Sequence, residues 1–142
     1  EVGHSYPLGS KTLSEDEIVA FARQFDPQLF HIDPEAAKAS MFGGIIASGW
    51  HTCSAVMRLM VDSFLHPESS LGSPGLDSLR WHKPVFPGDV LSVRLTTLEA
   101  RPMASRPQVG LVLSRWETLN QQRELVLSMQ GWGMFGRRDA AA

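Results

Sequence analysis

Apolar residues in the first third of the chain recur at helical spacing. Ile18, Phe21, Ala22 and Phe25 lie on one face of a segment that opens Ser14-Glu15-Asp16-Glu17. Ser14 and Glu17 have the spacing of a capping box, in which each side chain accepts a hydrogen bond from the other residue's backbone N–H. The pattern predicts a helix over residues 15–25. Asp26-Pro27 stops it, because the residue before proline is pushed out of the helical region. Asp33-Pro34 supplies the N-cap and first-turn residue of a second short helix, continued by Glu35 to Ala39. The stretch between these helices reads as irregular chain.

Gly43-Gly44 and Gly49 bracket the next start. From Trp50 to Leu65 the positions Trp50, Cys53, Met57, Met60 and Phe64 form a 3-4-3-4 stripe, widened by Val56, Leu59 and Val61. Arg58 and Asp62 are the charged residues here, four apart on one face. A helix this apolar, about 24 Å long at 1.5 Å per residue, is expected to be nearly surrounded. Residues 66–76, with Pro67, Gly72, Pro74 and Gly75, read as a loop. Beyond it the period drops to two. Strands are predicted at residues 78–83, from Leu91 to Thr97 and from Val109 to about Thr118, and Leu125, Leu127 and Met129 begin a fourth. Pro87-Gly88-Asp89 and Asn120-Gln121-Gln122 mark turns, and Tyr6 to Gly9 supply a short N-terminal strand. Residues 137–142 read as a frayed end.

Helices followed by hairpin-connected strands imply an α+β fold with an antiparallel sheet. One long apolar helix against one strongly twisted sheet suits the hot-dog fold, in which the sheet wraps around a central helix, although periodicity alone does not separate it from other α+β sandwiches. The 142 residues suit one domain spanning 1–142. The 13 basic and 15 acidic residues leave a formal charge of −2, which argues against nucleic acid or an anionic membrane as partner. The single cysteine, Cys53, excludes an internal disulfide and a multi-cysteine zinc site. Nothing resembles a signal peptide or an apolar run of bilayer length, so a soluble protein of a reducing, cytoplasmic compartment is expected. The chain begins at Glu1 rather than methionine, which points to a trimmed terminus.

Asp26-Pro27-Gln28-Leu29-Phe30-His31 places a carboxylate and an imidazole five residues apart, just ahead of the glycine-rich entry to the central helix. Two such groups converging on one water can activate it and return a proton. Spacing alone favours a plainer reading, in which Asp26 ends a helix and His31 caps a turn. His31-Ile32-Asp33 also matches half of a facial iron triad, but the second histidine and the barrel context are missing, and Asp33 serves better as an N-cap. Gly43 to Gly49 leads into a helix N terminus, whose unpaired N–H groups suit a developing oxyanion. Gly49 would let a ligand carbonyl approach, or would simply permit tight packing. His51 and Cys53 do not face each other on a helix, and Cys53 falls in the apolar stripe, so it reads as core. Gly131-Trp132-Gly133-Met134-Phe135-Gly136 formally fits a dinucleotide-binding pattern but has no room for the helix that must follow. His4, His66 and His82 are isolated.

The segment Asp26 to His31, with Asp33, Ala36-Ala37 and Phe42-Gly43-Gly44-Ile45-Ile46-Ala47-Ser48-Gly49, resembles the MaoC-like hydratases and dehydratases, which include the (R)-specific enoyl-CoA hydratases. Their pattern is Asp-x-Asn-Pro-x-His, then an apolar helix entered through Ile-Ala/Val-x-Gly. Arg80-Trp81-His82-Lys83-Pro84-Val85-Phe86-Pro87-Gly88-Asp89 matches their Pro-Val-x-x-Gly-Asp hairpin, so the resemblance runs from about residue 5 to 136.

The resemblance implies a hot-dog fold, a homodimer or higher homo-oligomer with sheets joined edge to edge, and a place in fatty acid metabolism. It implies reversible addition of water to a 2-enoyl-CoA, or its acyl-carrier equivalent, giving a 3-hydroxyacyl thioester. Asp26 and His31 would be the catalytic pair, and Gly49 would offer its N–H to the thioester carbonyl. No metal or redox cofactor is required, the CoA or pantetheine belonging to the substrate. Phe30, Met41, Phe42, Ser48 and Trp50 are candidates for substrate contact, or are ordinary core. Lys83, Arg101, Arg106, Arg137 and Arg138 are scattered cations that assign no phosphate site. Two departures stand out. Gln28 and Leu29 replace Asn and Pro, and Met57 stands where a helix serine is expected near the aspartate, so Asp26 is expected to be held differently. The alternatives are a hot-dog thioesterase, for which Asp62 lies too far along the helix, and a non-catalytic acyl-binding or assembly subunit.

Overall fold

The computed structural model describes residues 1–137. Its strands are β1 (Ser5–Thr12), β2 (Gly75–Trp81), β3 (Val90–Pro102), β4 (Val109–Leu119) and β5 (Leu125–Gly136). Its helices are α1 (Glu15–Phe25), α2 (Leu29–Ile32), α3 (Pro34–Lys38) and α4 (Gly49–Ser63). The strands form one antiparallel sheet in the order β1-β3-β4-β5-β2, so β1 and β2 are its edges.

Local chemistry explains most of these boundaries. Ser14 and Glu17 form the reciprocal capping box of α1, and Asp33 accepts from the N–H groups of Glu35 and Ala36 to start α3 at Pro34. Gly88 adopts φ +87° in the β2–β3 connection, where a β-carbon would be strained. The last strand runs on through the glycine-rich run to Gly136, so that segment is sheet and not a phosphate loop. Of the expected frayed end, Arg137 is held, donating from Nη1 to the Pro107 carbonyl at 2.6 Å. Residues 138–142 lie outside the described residues.

Alternate residues of β3, Leu91, Val93 and Leu95, turn inward together with Trp116 of β4 and Leu127 and Met129 of β5. Against them pack Ile18 of α1 and the inner face of α4, formed by Ala55, Val56 and Met60. Each fully buried Leu or Ile contributes about 1.5–3 kcal/mol. The α4 helix is not surrounded, contrary to the expectation from its composition. Trp50, Met57 and Val61 remain 58%, 48% and 48% exposed. These positions, seven and four residues apart, fall on one face, and the sheet of this chain covers only the opposite side. Phe25 likewise leaves the apolar face of α1, 65% exposed, with its ring 5.1 Å from that of Phe21.

Candidate active site

Asp26 is the C-cap residue of α1, with φ −152° and ψ 65°. After Pro27 the chain does not stay irregular, as its sequence suggested, but makes the short turn of α2. That turn brings His31 back over Asp26, with Nε2 3.3 Å from Oδ2. The imidazole is 4% exposed. Its Nδ1 lies 2.6 Å from the Ile46 carbonyl, while the Ile46 N–H donates to the Phe30 carbonyl at 3.1 Å. A carbonyl only accepts, so Nδ1 carries a hydrogen, and Nε2 is the ring nitrogen turned to Asp26. Phe30 meets the imidazole edge-on at 4.5 Å and is itself backed by Phe42 at 5.3 Å.

Two donors fix the carboxylate. Gln28 Nε2 donates to Oδ1 at 2.6 Å, and the Ser48 hydroxyl donates to Oδ2 at 2.7 Å. Burial pushes the Asp26 carboxyl up, but the Gln28 and Ser48 hydrogen bonds and the facing His31 outweigh it and hold the group below its ordinary value. Asp26 is thus held differently from the helix-serine arrangement, as expected, and by groups that could be named only once the chain was folded. Gln28 does its own anchoring in place of the Asn-Pro pair, and Ser48 supplies the hydroxyl that Met57 lacks.

Ser48 is the N-cap of α4 and fully buried, yet its side chain makes no capping bond. His51 and Thr52 N–H donate to its carbonyl. The Gly49 and Trp50 N–H groups belong to the same first turn and have no acceptor among the described residues. They carry the partial positive charge of the helix start.

Asp26, Gln28, His31, Phe42, Gly49 and Trp81 line one pocket of about 390 Å³, with Trp50 at its rim. The other sequence candidates fall elsewhere. Phe30 stands behind His31, Ser48 behind Asp26, and Met41 is 92% exposed and outside the lining. Met41 follows the end of α3 in a turn of small residues that no strand covers, so its side chain has nothing to pack against. Asp62 pairs with the exposed Arg58 at 3.1 Å, about 20 Å along α4 from Gly49. His51 stacks flat on Phe21 at 4.6 Å, whereas Cys53 meets Trp81, so the two face different neighbours. Burial raises the Cys53 pKa despite the Trp81 hydrogen bond, which keeps the sulfur a thiol. Lys83 pairs with Glu124, and His82 Nε2 lies 2.7 Å from the Ser128 hydroxyl. Trp81 is the site residue that sequence reasoning missed, because its place in an alternating strand gave no sign of the surface it covers.

Among the described residues no three His, Cys, Asp or Glu side chains converge as a metal site, and no helix is long and apolar enough to cross a membrane.

The family model described as "MaoC like domain" matches residues 2–115. A relative from Bacillus subtilis, the uncharacterized protein YdeM, is 31% identical over 121 residues, spanning 85% of this chain and 84% of that protein. A mesaconyl-CoA hydratase from Cereibacter sphaeroides is 44% identical over 63 residues, which is 44% of this chain but only 18% of that protein. The crystal structure of a MaoC-like dehydratase from Rhodospirillum rubrum superposes with a TM-score of 0.89 at 40% identity, covering 97% of this chain and 94% of that one. The antiparallel sheet with its central helix is accordingly the hot-dog fold. The matched region carries the Asp26–His31 pair, the Ser48-Gly49 helix entry and the Pro87-Gly88-Asp89 turn together, and the chain belongs to the MaoC-like domain family.

Proposed function

We propose that this protein is a hydratase/dehydratase that adds water reversibly to a 2-enoyl thioester, giving a 3-hydroxyacyl thioester. The observation that carries this reading is the pairing of a carboxylate with an imidazole whose other nitrogen is already bonded. With Nδ1 committed to Ile46, Nε2 faces the Asp26 carboxylate, whose pKa is lowered, across 3.3 Å. With His31 neutral, Nε2 and the carboxylate both accept, and a water molecule at the pocket side donates to both. Its two hydrogens point at Asp26 and His31, which leaves an oxygen lone pair directed at the substrate.

In the forward direction this oxygen attacks Cβ, and one member of the dyad takes the proton as the O–H bond breaks. The alkene electrons move to the Cα side and charge collects on the thioester oxygen. Gly49 N–H, at the positive end of α4, stabilises that oxyanion. The protonated dyad then delivers its proton to Cα. Elimination of water from a 3-hydroxyacyl thioester is the same path reversed. The chain's own groups supply each proton and each charge-stabilising donor, with the CoA or pantetheine arm belonging to the substrate.

The mesaconyl-CoA hydratase relative supports water addition to an unsaturated thioester as the reaction class. The exposed edge strand β2, with Leu76 50% and Trp81 45% exposed beside the open face of α4, supports a homodimer joined through β2.

The assay follows loss of enoyl-thioester absorbance from crotonyl-CoA while free thiol is titrated in parallel. Absorbance loss without thiol is the expected result. Thiol release at the same rate would replace hydration by hydrolysis.

A further inference from the structure

The dyad pocket has an exposed rim and a buried floor. Trp50, Trp81, His82 and Lys83 of its lining are exposed, whereas Ile46, Ala47, Thr52, Val85 and Val126 are buried. Four of these five floor residues are apolar. The fifth, Thr52, is 2% exposed and lies on α4 one turn beyond Gly49, so it brings a single hydroxyl into apolar surroundings.

That hydroxyl is uncommitted. A threonine inside a helix commonly donates to the carbonyl four residues back, as Ser54 of α4 does to Trp50 at 2.8 Å. For Thr52 this acceptor is the Ser48 carbonyl, whose two lone pairs already take the N–H groups of His51 and Thr52 at 2.9 and 3.1 Å. No other described residue bonds the Thr52 side chain. Thr118 Oγ1 and Trp116 Nε1 are orphaned too, but packed protein seals them from solvent. Thr52 Oγ1 is orphaned and not sealed, and the space it borders is the dyad pocket. The other polar side chains there, the two indoles apart, have partners. Asp26, Gln28 and His31 bond within the site, His82 meets Ser128, and Lys83 pairs with Glu124.

We propose that Thr52 is a specificity-determining residue of this site, which selects 2-enoyl thioesters bearing a hydroxyl one carbon beyond Cβ over those that end in plain alkyl. This rests on the hydratase reading above. With the thioester oxygen at Gly49 and Cβ at the dyad, the part of the acyl group beyond Cβ turns to the floor. A plain alkyl end expels water from the Thr52 hydroxyl and leaves it unpaired, whereas a hydroxyl at that carbon takes its place as partner. A site built to hydrogen-bond a substrate hydroxyl discriminates against the analogue that lacks it.

The test compares kcat/KM for hydration of trans-4-hydroxybut-2-enoyl-CoA and crotonyl-CoA, which differ by one hydroxyl. Wild type is expected to favour the hydroxylated substrate about fivefold or more, the low end of what an unpaired buried hydrogen-bonding group costs. T52V, which replaces the hydroxyl by a methyl of similar size, should lower that ratio by about the same factor, and T52S, which keeps the hydroxyl, should retain it. Because each variant meets both substrates, the change in ratio cancels their intrinsic reactivities. T52V should also keep the wild-type Tm, since the hydroxyl has no partner to lose. Should T52V fail to fold, T52A removes the same group and is read by the same ratio. Wild type that prefers crotonyl-CoA, or a folded variant that loses activity equally on both substrates or leaves the ratio unmoved, overturns the role of Thr52 and leaves the hydratase reading standing. Wild type that hydrates neither substrate removes the hydratase reading itself.

Discussion

The Ser48 hydroxyl donates to Asp26 Oδ2 at 2.7 Å and does not cap the helix that Ser48 begins. A serine N-cap ordinarily stabilises its helix by about 0.5–2 kcal/mol. Here that hydroxyl is turned to Asp26 instead, and two consequences coincide. The carboxylate is fixed with its charge favoured, and the first-turn N–H groups of α4 stay free at the pocket.

The Asp26 pKa is lowered, so its ionised form persists into mildly acidic solution. Ser48→Ala removes one of the two side-chain donors responsible and should move the acidic limb of kcat/KM to higher pH, as should Gln28→Leu. The sign for stability follows from the same shift. A depressed carboxylate contributes stability that is present above its unfolded pKa and lost as pH falls through its folded one. Thermal unfolding of wild type against Asp26→Asn at a series of acidic pH values checks this. Wild type should lose Tm on acidification more steeply than the variant.

Gly49→Ala sets a β-carbon 2.4 Å from the Trp81 ring, so the strand or the helix must shift. The expected cost is about 1–3 kcal/mol, the usual range for overpacking. That corresponds to a fall in Tm of several degrees for a domain of this size. Because the clash is with one side chain, the double variant Gly49→Ala/Trp81→Ala should recover most of the loss attributable to Gly49→Ala. Additive losses would place the strain in the backbone instead.

Cys53 is half-buried with its thiol pKa raised by burial. Iodoacetamide at neutral pH should therefore modify it about tenfold or more slower than it modifies glutathione. Denaturant should abolish the difference. Fast labelling of the folded protein would revive a role for the thiol as nucleophile.

What could be read from the chain is what depends on near neighbours. The capping box of Ser14 and Glu17, the Asp33-Pro34 start and the turn at Gly88 are short-range chemistry, and each stands where the residues place it. The Asp26 and His31 pair was legible as a spacing, since α2 folds it together through local turns. The partners that make it a site come from afar. Ser48 is 22 residues from Asp26, and the Ile46 carbonyl is 15 from His31. Trp81 reaches Gly49 from the sheet's edge strand. Periodicity likewise marked Trp50, Met57 and Val61 as apolar without saying that the sheet would leave them open, because it records which positions are apolar and not what covers them. In β5 the glycine run interrupts the alternation, so Leu125, Leu127 and Met129 mark where the strand begins but not that it extends to Gly136.

The central claim is that Asp26 and His31 together activate one water, and steady-state hydration of crotonyl-CoA by Asp26→Asn and His31→Ala tests it most directly. Loss of either acceptor should lower kcat by about 10²–10⁴, the range for positioned acid–base groups. The double variant should fall little below the worse single one, as residues acting as a unit do. Hydration at the wild-type rate by either folded single variant would contradict the account.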